Sequence, residues 1–310
     1  MQVAIIDLGT NTFNLLIAEL SHQSFKKIFG TRIAVKLGEG GINSGFIADA
    51  PFQRGVDAMI EYKKIINSHS VHTISAFATS AIRSARNGQL FIEAVKQHTG
   101  VEVEMISGDR EAELIYYGNR LATNMTDAPS LIMDIGGGST EFIIANKTGV
   151  FWKHSFLLGA ARLLEKFKPE NPIGESTIDA LRNYLKQELQ PLFTEAKKYP
   201  LTELIGSSGA FDSVVDLVGY AYHAETLNTG QTEYMIQLDH FKAIGKKIIH
   251  STTEERMQTK GLIAMRVDMI VISFLFVTLI VEEFKLNALK CSTYSLKEGV
   301  IAELMDKHKL

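Results

Sequence analysis

Two short segments combine the residue types that hold phosphate and a hard cation: Asp7-Leu8-Gly9-Thr10-Asn11-Thr12 and Asp134-Ile135-Gly136-Gly137-Gly138-Ser139-Thr140-Glu141. Glycines let backbone N–H groups converge on an anion, and hydroxyls and an amide add donors. The carboxylates of Asp7, Asp134 and Glu141 suit an oxygen-seeking metal ion. Each segment lies between apolar runs, Val3–Ile6 and Phe13–Ile17 in the first case, Leu131–Met133 and Phe142–Ala145 in the second, which reads as strand, turn, strand. Placing Asp7 on Asp134 is a shift of 134 − 7 = 127 positions, and it also brings Gly9 onto Gly136, Thr12 onto Ser139 and Ala18 onto Ala145. The chain therefore reads as two related halves, each offering a phosphate cradle. A dinucleotide fingerprint needs a helix directly after its glycines and a P-loop needs a lysine; here a strand follows and no lysine does.

Three further places carry reactive types. Glu111 falls with Leu114, Ile115 and Gly118 at i, i+3, i+4 and i+7, the inward stripe of a helix. A carboxylate there is either a helix-start residue favoured by the dipole or a general base facing a cleft. Burial would raise its pKa and the helix N-terminus would lower it. Glu113, two positions on, is expected to point to solvent. Arg83 follows a strand end in a Thr/Ser-rich stretch, where a guanidinium either forks onto phosphate oxygens or lies exposed. Gly206-Ser207-Ser208-Gly209 joins a strand to a helix and places N–H groups of Ser207, Ser208 and Gly209 at a helix N-terminus, as anion contact or as a plain connection. Arg86 is a weaker phosphate candidate, and Arg162 is either a cleft residue or a surface ion pair.

The elements that must position these residues alternate. A hairpin over Val3–Ala18, strands within Lys26–Leu37, a helix over Pro51–Asn67 and a strand over Val71–Thr79 lead to a polar loop, Ser80–Gly88. A helix near Gln89–His98, a strand over Val101–Ile106 and a helix over Arg110–Leu121 capped from Ser107-Gly108-Asp109 complete the first half. The second half repeats hairpin and strand (Phe151–Phe156). It then runs through one long helix over Ser176–Lys198, a strand at Glu203–Ile205 and a helix over Phe211–Val218. Helices starting at Asp239 and Thr252, an apolar core helix over Met269–Val281, and a closing strand and helix follow. Thr123–Ala128 is the expected hinge between lobes 1–125 and 126–310, in an α/β fold with a mixed sheet in each lobe.

With 45% apolar residues, the 310-residue chain has enough to bury two cores, and its net charge of −3 advertises no affinity for nucleic acid or anionic membrane. Cys291, the one cysteine, excludes an intrachain disulfide and fits a reducing cytoplasm. The start of the chain lacks a signal-peptide pattern, and Met269–Val281 is too short to span a bilayer. The nearest histidines, His69 and His72, have no acidic or cysteine neighbours suited to a metal site.

Together these blocks resemble the exopolyphosphatase and guanosine pentaphosphate phosphohydrolase family of the actin, Hsp70 and sugar-kinase superfold. The matching pieces are the two turns, Ala78-Thr79-Ser80-Ala81-Ile82-Arg83, Ser107-Gly108-Asp109-Arg110-Glu111-Ala112-Glu113, Leu158-Gly159-Ala160-Ala161-Arg162-Leu163, Gly206-Ser207-Ser208-Gly209 and the closing Leu296-Lys297-Glu298-Gly299. The resemblance implies two actin-like (ribonuclease H-like) lobes with an interdomain cleft, in the short form without a further helical domain. It also implies Mg²⁺-dependent removal of the terminal phosphate of inorganic polyphosphate, with Glu111 activating water and Arg83 on the phosphate chain. Gly9, Thr10, Asn11, Thr12, Gly136, Gly137, Gly138, Ser139, Thr140, Ser207, Ser208 and Gly209 would hold phosphates, and Asp134, Glu141 and Asp7 the metal. The same chemistry on pppGpp is the alternative; a kinase of the superfold and a non-catalytic sensor are more distant ones. Relatives of this form often dimerise. Ser295 and Lys297 stand where the family usually shows glycine and arginine.

Overall fold

The computed structural model describes residues 1–22 and 24–308, and by its own contacts the chain divides into two units. The first contains Met1–Leu121. Its sheet is built from β1 (Gln2–Leu8), β2 (Phe13–Ser21), β3 (Ser24–Ile33), β4 (Thr73–Ala78) and β5 (Val103–Met105), in the order β3-β2-β1-β4-β5. The β1–β2–β3 meander is antiparallel, and β1–β4–β5 is parallel. The parallel strands are joined by helices, as crossover geometry requires: α1 (Asp49–Asn67), then α2 (Ser80–Ser84) and α3 (Gly88–Thr99), with α4 (Gly108–Ala122) following β5. The core contains Phe13, Met59, Tyr62 and Phe91, and the buried Tyr62 hydroxyl donates to the Phe13 carbonyl at 2.7 Å.

Ala122–Ser295 forms the second unit. Its strands are β6 (Ser130–Ile135), β7 (Thr140–Asn146), β8 (Gly149–Phe156), β9 (Glu203–Ser207), β10 (Glu233–Ile236) and β11 (Ala288–Ser292), ordered β10-β11-β9-β6-β7-β8. Stripped of β10, this is the first unit's order again, with β8-β7-β6 antiparallel and β6-β9-β11 parallel. The repetition reaches local irregularities. The β2–β3 register shifts between Ile17 and Ala18, and the β7–β8 register shifts between Ile144 and Ala145, the same positions after adding 127. Around the sheet lie α5 (Ala160–Phe167), α6 (Glu175–Glu188), α7 (Gln190–Ala196), α8 (Ser208–Tyr222), α9 (Leu238–Ile249), α10 (Thr253–Met257) and α11 (Met269–Glu283). Ile270–Phe276 of α11 is buried at every position, and Phe274 stacks on Phe241 of α9 at 5.3 Å. Each buried Ile, Val, Leu or Phe among them contributes about 1.5–3 kcal/mol. No described helix is long and apolar enough to cross a membrane.

The remaining helix, α12 (Leu296–His308), returns to the first unit. A sequence division at residue 125 placed it with the second lobe; its packing assigns it to the first. Gly299 lies so close to α4 that a Cβ there would be 1.8 Å from the Leu114 carbonyl oxygen, and Arg110 of α4 pairs with Glu303 at 2.5 Å.

Four local expectations change. Ser80–Ser84 is a short helix instead of loop. The helix expected over Ser176–Lys198 breaks at Leu189, because Pro191 has no N–H for an interior helical bond and is accommodated in the first turn of α7. Strand β10 lies where no element was expected, and helix α5 takes up much of the Leu158–Leu163 block. The strand at 203 runs through Ser207 and α8 begins at Ser208, whose φ of +65° is the cost of omitting a turn.

Candidate functional site

In the first unit β1 and β4 run parallel, with Leu8 opposite Ala78, so the Gly9–Thr12 turn and the residues after Ala78 leave the sheet at one end. The Thr79 N–H and hydroxyl both donate to the Leu8 carbonyl, at 3.4 and 3.3 Å, tying the two exits together. In the turn, the Thr10 and Asn11 carbonyls accept from the N–H groups of Gly38 and Lys36. Asp7 stands opposite Asn14 across the hairpin, and the Asn14 amide donates to its Oδ2 at 3.1 Å.

Arg83 and Glu111 come together in this unit. Helix α4 is capped as the sequence implied, its Arg110 N–H donating to Ser107 Oγ at 3.1 Å. Glu111 in its first turn is 8% exposed, which puts its carboxylate on the inward stripe with the buried Leu114 and Ile115. Arg83 Nη1 donates to Glu111 Oε2 at 2.8 Å and to the Ile106 carbonyl at 3.0 Å. The Arg83 Nε and Nη2 donors have no protein acceptor among the described residues, so one edge of a mostly buried guanidinium is committed and the other is open. Glu113, expected in solvent, pairs with Arg110 at 2.9 Å and accepts from the Tyr117 hydroxyl. Arg86 reaches the Ser44 carbonyl instead of the turns.

The second unit presents a polar row across its sheet. Register places Ser155 opposite Glu141, Glu141 opposite Asp134, Asp134 opposite Ser207, and Ser207 opposite Ser292, so one line of polar residues crosses five strands. Asp134 Oδ2 accepts from Ser207 Oγ and Ser295 Oγ, both at 2.6 Å. Glu141 Oε1 accepts from Ser139 Oγ at 2.7 Å and Ser155 Oγ at 2.6 Å. Both carboxylates are at most 5% exposed. Like charges directly opposite on a sheet repel, and the hydroxyls lessen that penalty without cancelling the charge.

Beneath the turn, the first residues of α5 take up its carbonyls. Ala160 N–H donates to Gly136, the N–H groups of Ala161 and Arg162 to Gly137, and Arg162 Nε to Gly138 at 2.8 Å. With those carbonyls committed to one side, the turn is held in one peptide orientation. Gly159 is required by this packing: a Cβ there would stand 2.3–2.4 Å from backbone atoms of Gly137 and Gly138. Burial pulls the Arg162 guanidinium pKa below its ordinary value, with no compensation large enough to reverse it. Ser208 Oγ donates to the Ile135 carbonyl at 3.3 Å, and Arg266 pairs with Asp212 and Ser213 near the start of α8.

Sequence reasoning missed Ser155 and Ser295 as carboxylate partners and Arg266 at α8; Arg162 it left between cleft and surface. Ser155 was detectable in principle, from strand alternation opposite Glu141. Ser295 and Arg266 reach their partners over separations that carry no local pattern. Cys291 is fully buried and burial pushes its thiol well above the usual range, so it is no nucleophile.

No cluster of three or more His, Cys, Asp or Glu side chains forms a metal cage among the described residues. The Asp134–Glu141 pair, all-oxygen and doubly anionic when ionised, nevertheless suits Mg²⁺, which is held by one or two carboxylates with water and substrate phosphates supplying the rest. Asp7 faces the Asn14 amide, so this place offers a cation one carboxylate where the second turn offers two.

Two mixed sheets of one topology, each with a glycine-bearing hairpin at the carboxyl end of its central strand, define the actin-like two-lobe class. Within it, the Ppx/GppA phosphatase family model matches residues 16–308, and the chain belongs to that family. An exopolyphosphatase from Cytophaga hutchinsonii is 37% identical, with a TM-score of 0.96 over 99% of this chain and 98% of its own. Exopolyphosphatase 1 of Mycobacterium tuberculosis is 27% identical over 99% of this chain and 89% of its own length. A guanosine-5'-triphosphate,3'-diphosphate pyrophosphatase of Photobacterium profundum is 23% identical, and this chain covers 59% of it.

Proposed function

We propose that this member of the phosphatase family removes the terminal phosphate of inorganic polyphosphate by Mg²⁺-dependent hydrolysis. The observation that carries the reading is the Arg83–Glu111 pair: a nearly buried carboxylate in contact with a guanidinium whose outer edge is uncommitted. A carboxylate offers about four lone-pair positions, so the Arg83 bond leaves Glu111 able to accept a proton from water. The Nε and Nη2 donors of Arg83 match the spacing of two phosphoryl oxygens. Asp134 and Glu141 would hold Mg²⁺, which would supply positive charge against that of the phosphoryl oxygens. N–H groups of the second turn, fixed from beneath by α5, would bind phosphoryl oxygens without reorganising. The substrate follows the two relatives named exopolyphosphatase that match along nearly their whole length.

Phosphate release from polyphosphate and from pppGpp, measured side by side, tests the substrate; a preference for pppGpp of several orders of magnitude overturns it. For the chemistry, Glu111→Gln is expected to lower kcat about 1,000-fold, the middle of the range for a general base, with substrate affinity nearly unchanged. Retained turnover in that variant removes Glu111 from the role.

A further inference from the structure

Most buried polar side chains of the first unit have a partner, but two hydroxyls do not. Thr10 Oγ1 and Ser80 Oγ are fully buried atoms with no hydrogen-bond partner among the described residues, on residues 4% and 3% exposed. An orphaned buried hydroxyl is unfavourable against a satisfied one, so two at one end of the sheet need a reason that the fold alone does not give. Their places are related. Thr10 lies two residues beyond Leu8 and Ser80 two beyond Ala78, and Leu8 and Ala78 are partners in adjacent parallel strands about 4.8 Å apart. Ser80 and Arg83 are also at i and i+3 in α2, on one face of the helix, so the Ser80 hydroxyl shares a side with the guanidinium that binds Glu111.

Thr10 belongs to the expected phosphate turn; Ser80 does not. We infer that Ser80 is a phosphate ligand: its hydroxyl, with that of Thr10, donates to an oxygen of the phosphoryl group gripped by the open edge of Arg83. This deepens the hydrolase reading above by adding a donor to the same half-site. A phosphoryl oxygen accepts several hydrogen bonds at once, which is what two inward hydroxyls and a guanidinium edge can jointly saturate. An apolar ligand would leave both hydroxyls unsatisfied.

The test uses orthophosphate as the probe, on the full chain, with calorimetric Kd and the phosphate-dependent rise in Tm as readouts. In Ser80→Ala and Thr10→Val, Kd for orthophosphate is expected to rise roughly 10-fold or more, as for loss of a hydrogen bond to a charged group, and the Tm rise to shrink accordingly. Without phosphate, Tm of Ser80→Ala is expected to equal or exceed that of the wild type, since an unsatisfied buried hydroxyl has been removed. An unchanged Kd overturns the assignment, and so does a wild type that orthophosphate does not stabilise. A lower Tm in the absence of phosphate with an unchanged Kd would assign Ser80 to a structural water. Because the probe is never hydrolysed, the outcome is separable from the proposed activity. Wild-type protein that binds orthophosphate through Ser80 but releases none from polyphosphate would refute the activity alone, and active protein with an indifferent Ser80 would refute this inference alone.

Discussion

The two glycine-bearing hairpins share a register, a bulge and a place in their sheets, yet they differ in what surrounds them. Asn14 and Glu141 are equivalent, since 141 − 14 = 127, the offset that relates Asp7 to Asp134. In the first unit the aspartate therefore faces a neutral amide, and in the second it faces another carboxylate. The second pair is bound by four serine hydroxyls, and its turn is braced by the start of α5. The first turn keeps a buried hydroxyl without a partner among the described residues, and Arg83 of the same unit keeps open donors. One copy of the motif has two carboxylates bonded to hydroxyls of its own unit. The other has one carboxylate bonded to an amide. The backbone repeats, and a few side chains make the difference.

The contrast can be broken most severely at Glu141. Glu141→Gln makes the second pair resemble the first in charge; activity at fixed Mg²⁺ is expected to drop about 100-fold, with part recovered at higher Mg²⁺. Asn14→Ala in the equivalent place should cost less, about 10-fold, consistent with loss of one hydrogen bond to the Asp7 carboxylate. Equal losses in Mg²⁺ titrations of the two variants would erase the distinction drawn between the turns.

A second contrast concerns what lies under each turn. Gly159 abuts the backbone of Gly137 and Gly138, whereas a Cβ on Gly38 would meet the Thr10 methyl at 2.8 Å and the Ile42 side chain at 3.0 Å. Side chains can move aside and backbone cannot. Gly159→Ala is expected to cost about 3 kcal/mol and Gly38→Ala about 1 kcal/mol, read from denaturant unfolding of the two variants. The reverse order would show that the second turn yields more readily than its bracing implies.

The smallest effect is expected at Arg162. Arg162→Met keeps most of the stem but releases the Gly138 carbonyl; about 1 kcal/mol of stability and a fall of about 5-fold in kcat are expected, with KM nearly constant. A loss of stability without any change in kcat would reduce Arg162 to a scaffold residue.

What could be read in advance followed from locality. The turns stood out because glycines, hydroxyls and acids crowd into a few positions between apolar runs. The inward position of Glu111 was legible through helical spacing, whereas its role was implied only by the family resemblance. The partners of Asp134 were not all so accessible: Ser295 is 161 positions away and reaches it only because β11 ends nearby in the same unit. The break at Leu189 was visible in Pro191 but lost in a helical pattern that continued on both sides. Ser80 read as loop because five residues are too few to show a period. The membership of α12 had no local signal, since its company is set by tertiary packing.

That last feature bears on how the protein is made. Residues 296–308 leave the ribosome only after the entire second unit has been synthesised, yet they complete the first, seating Gly299 against Leu114 and pairing Glu303 with Arg110 beside Glu111. A nascent chain can thus finish its later-born unit before its earlier-born one. Until residues 296–308 have emerged, the helix bearing Glu111 lacks its neighbour, which postpones assembly of this half-site until after the second unit has been made.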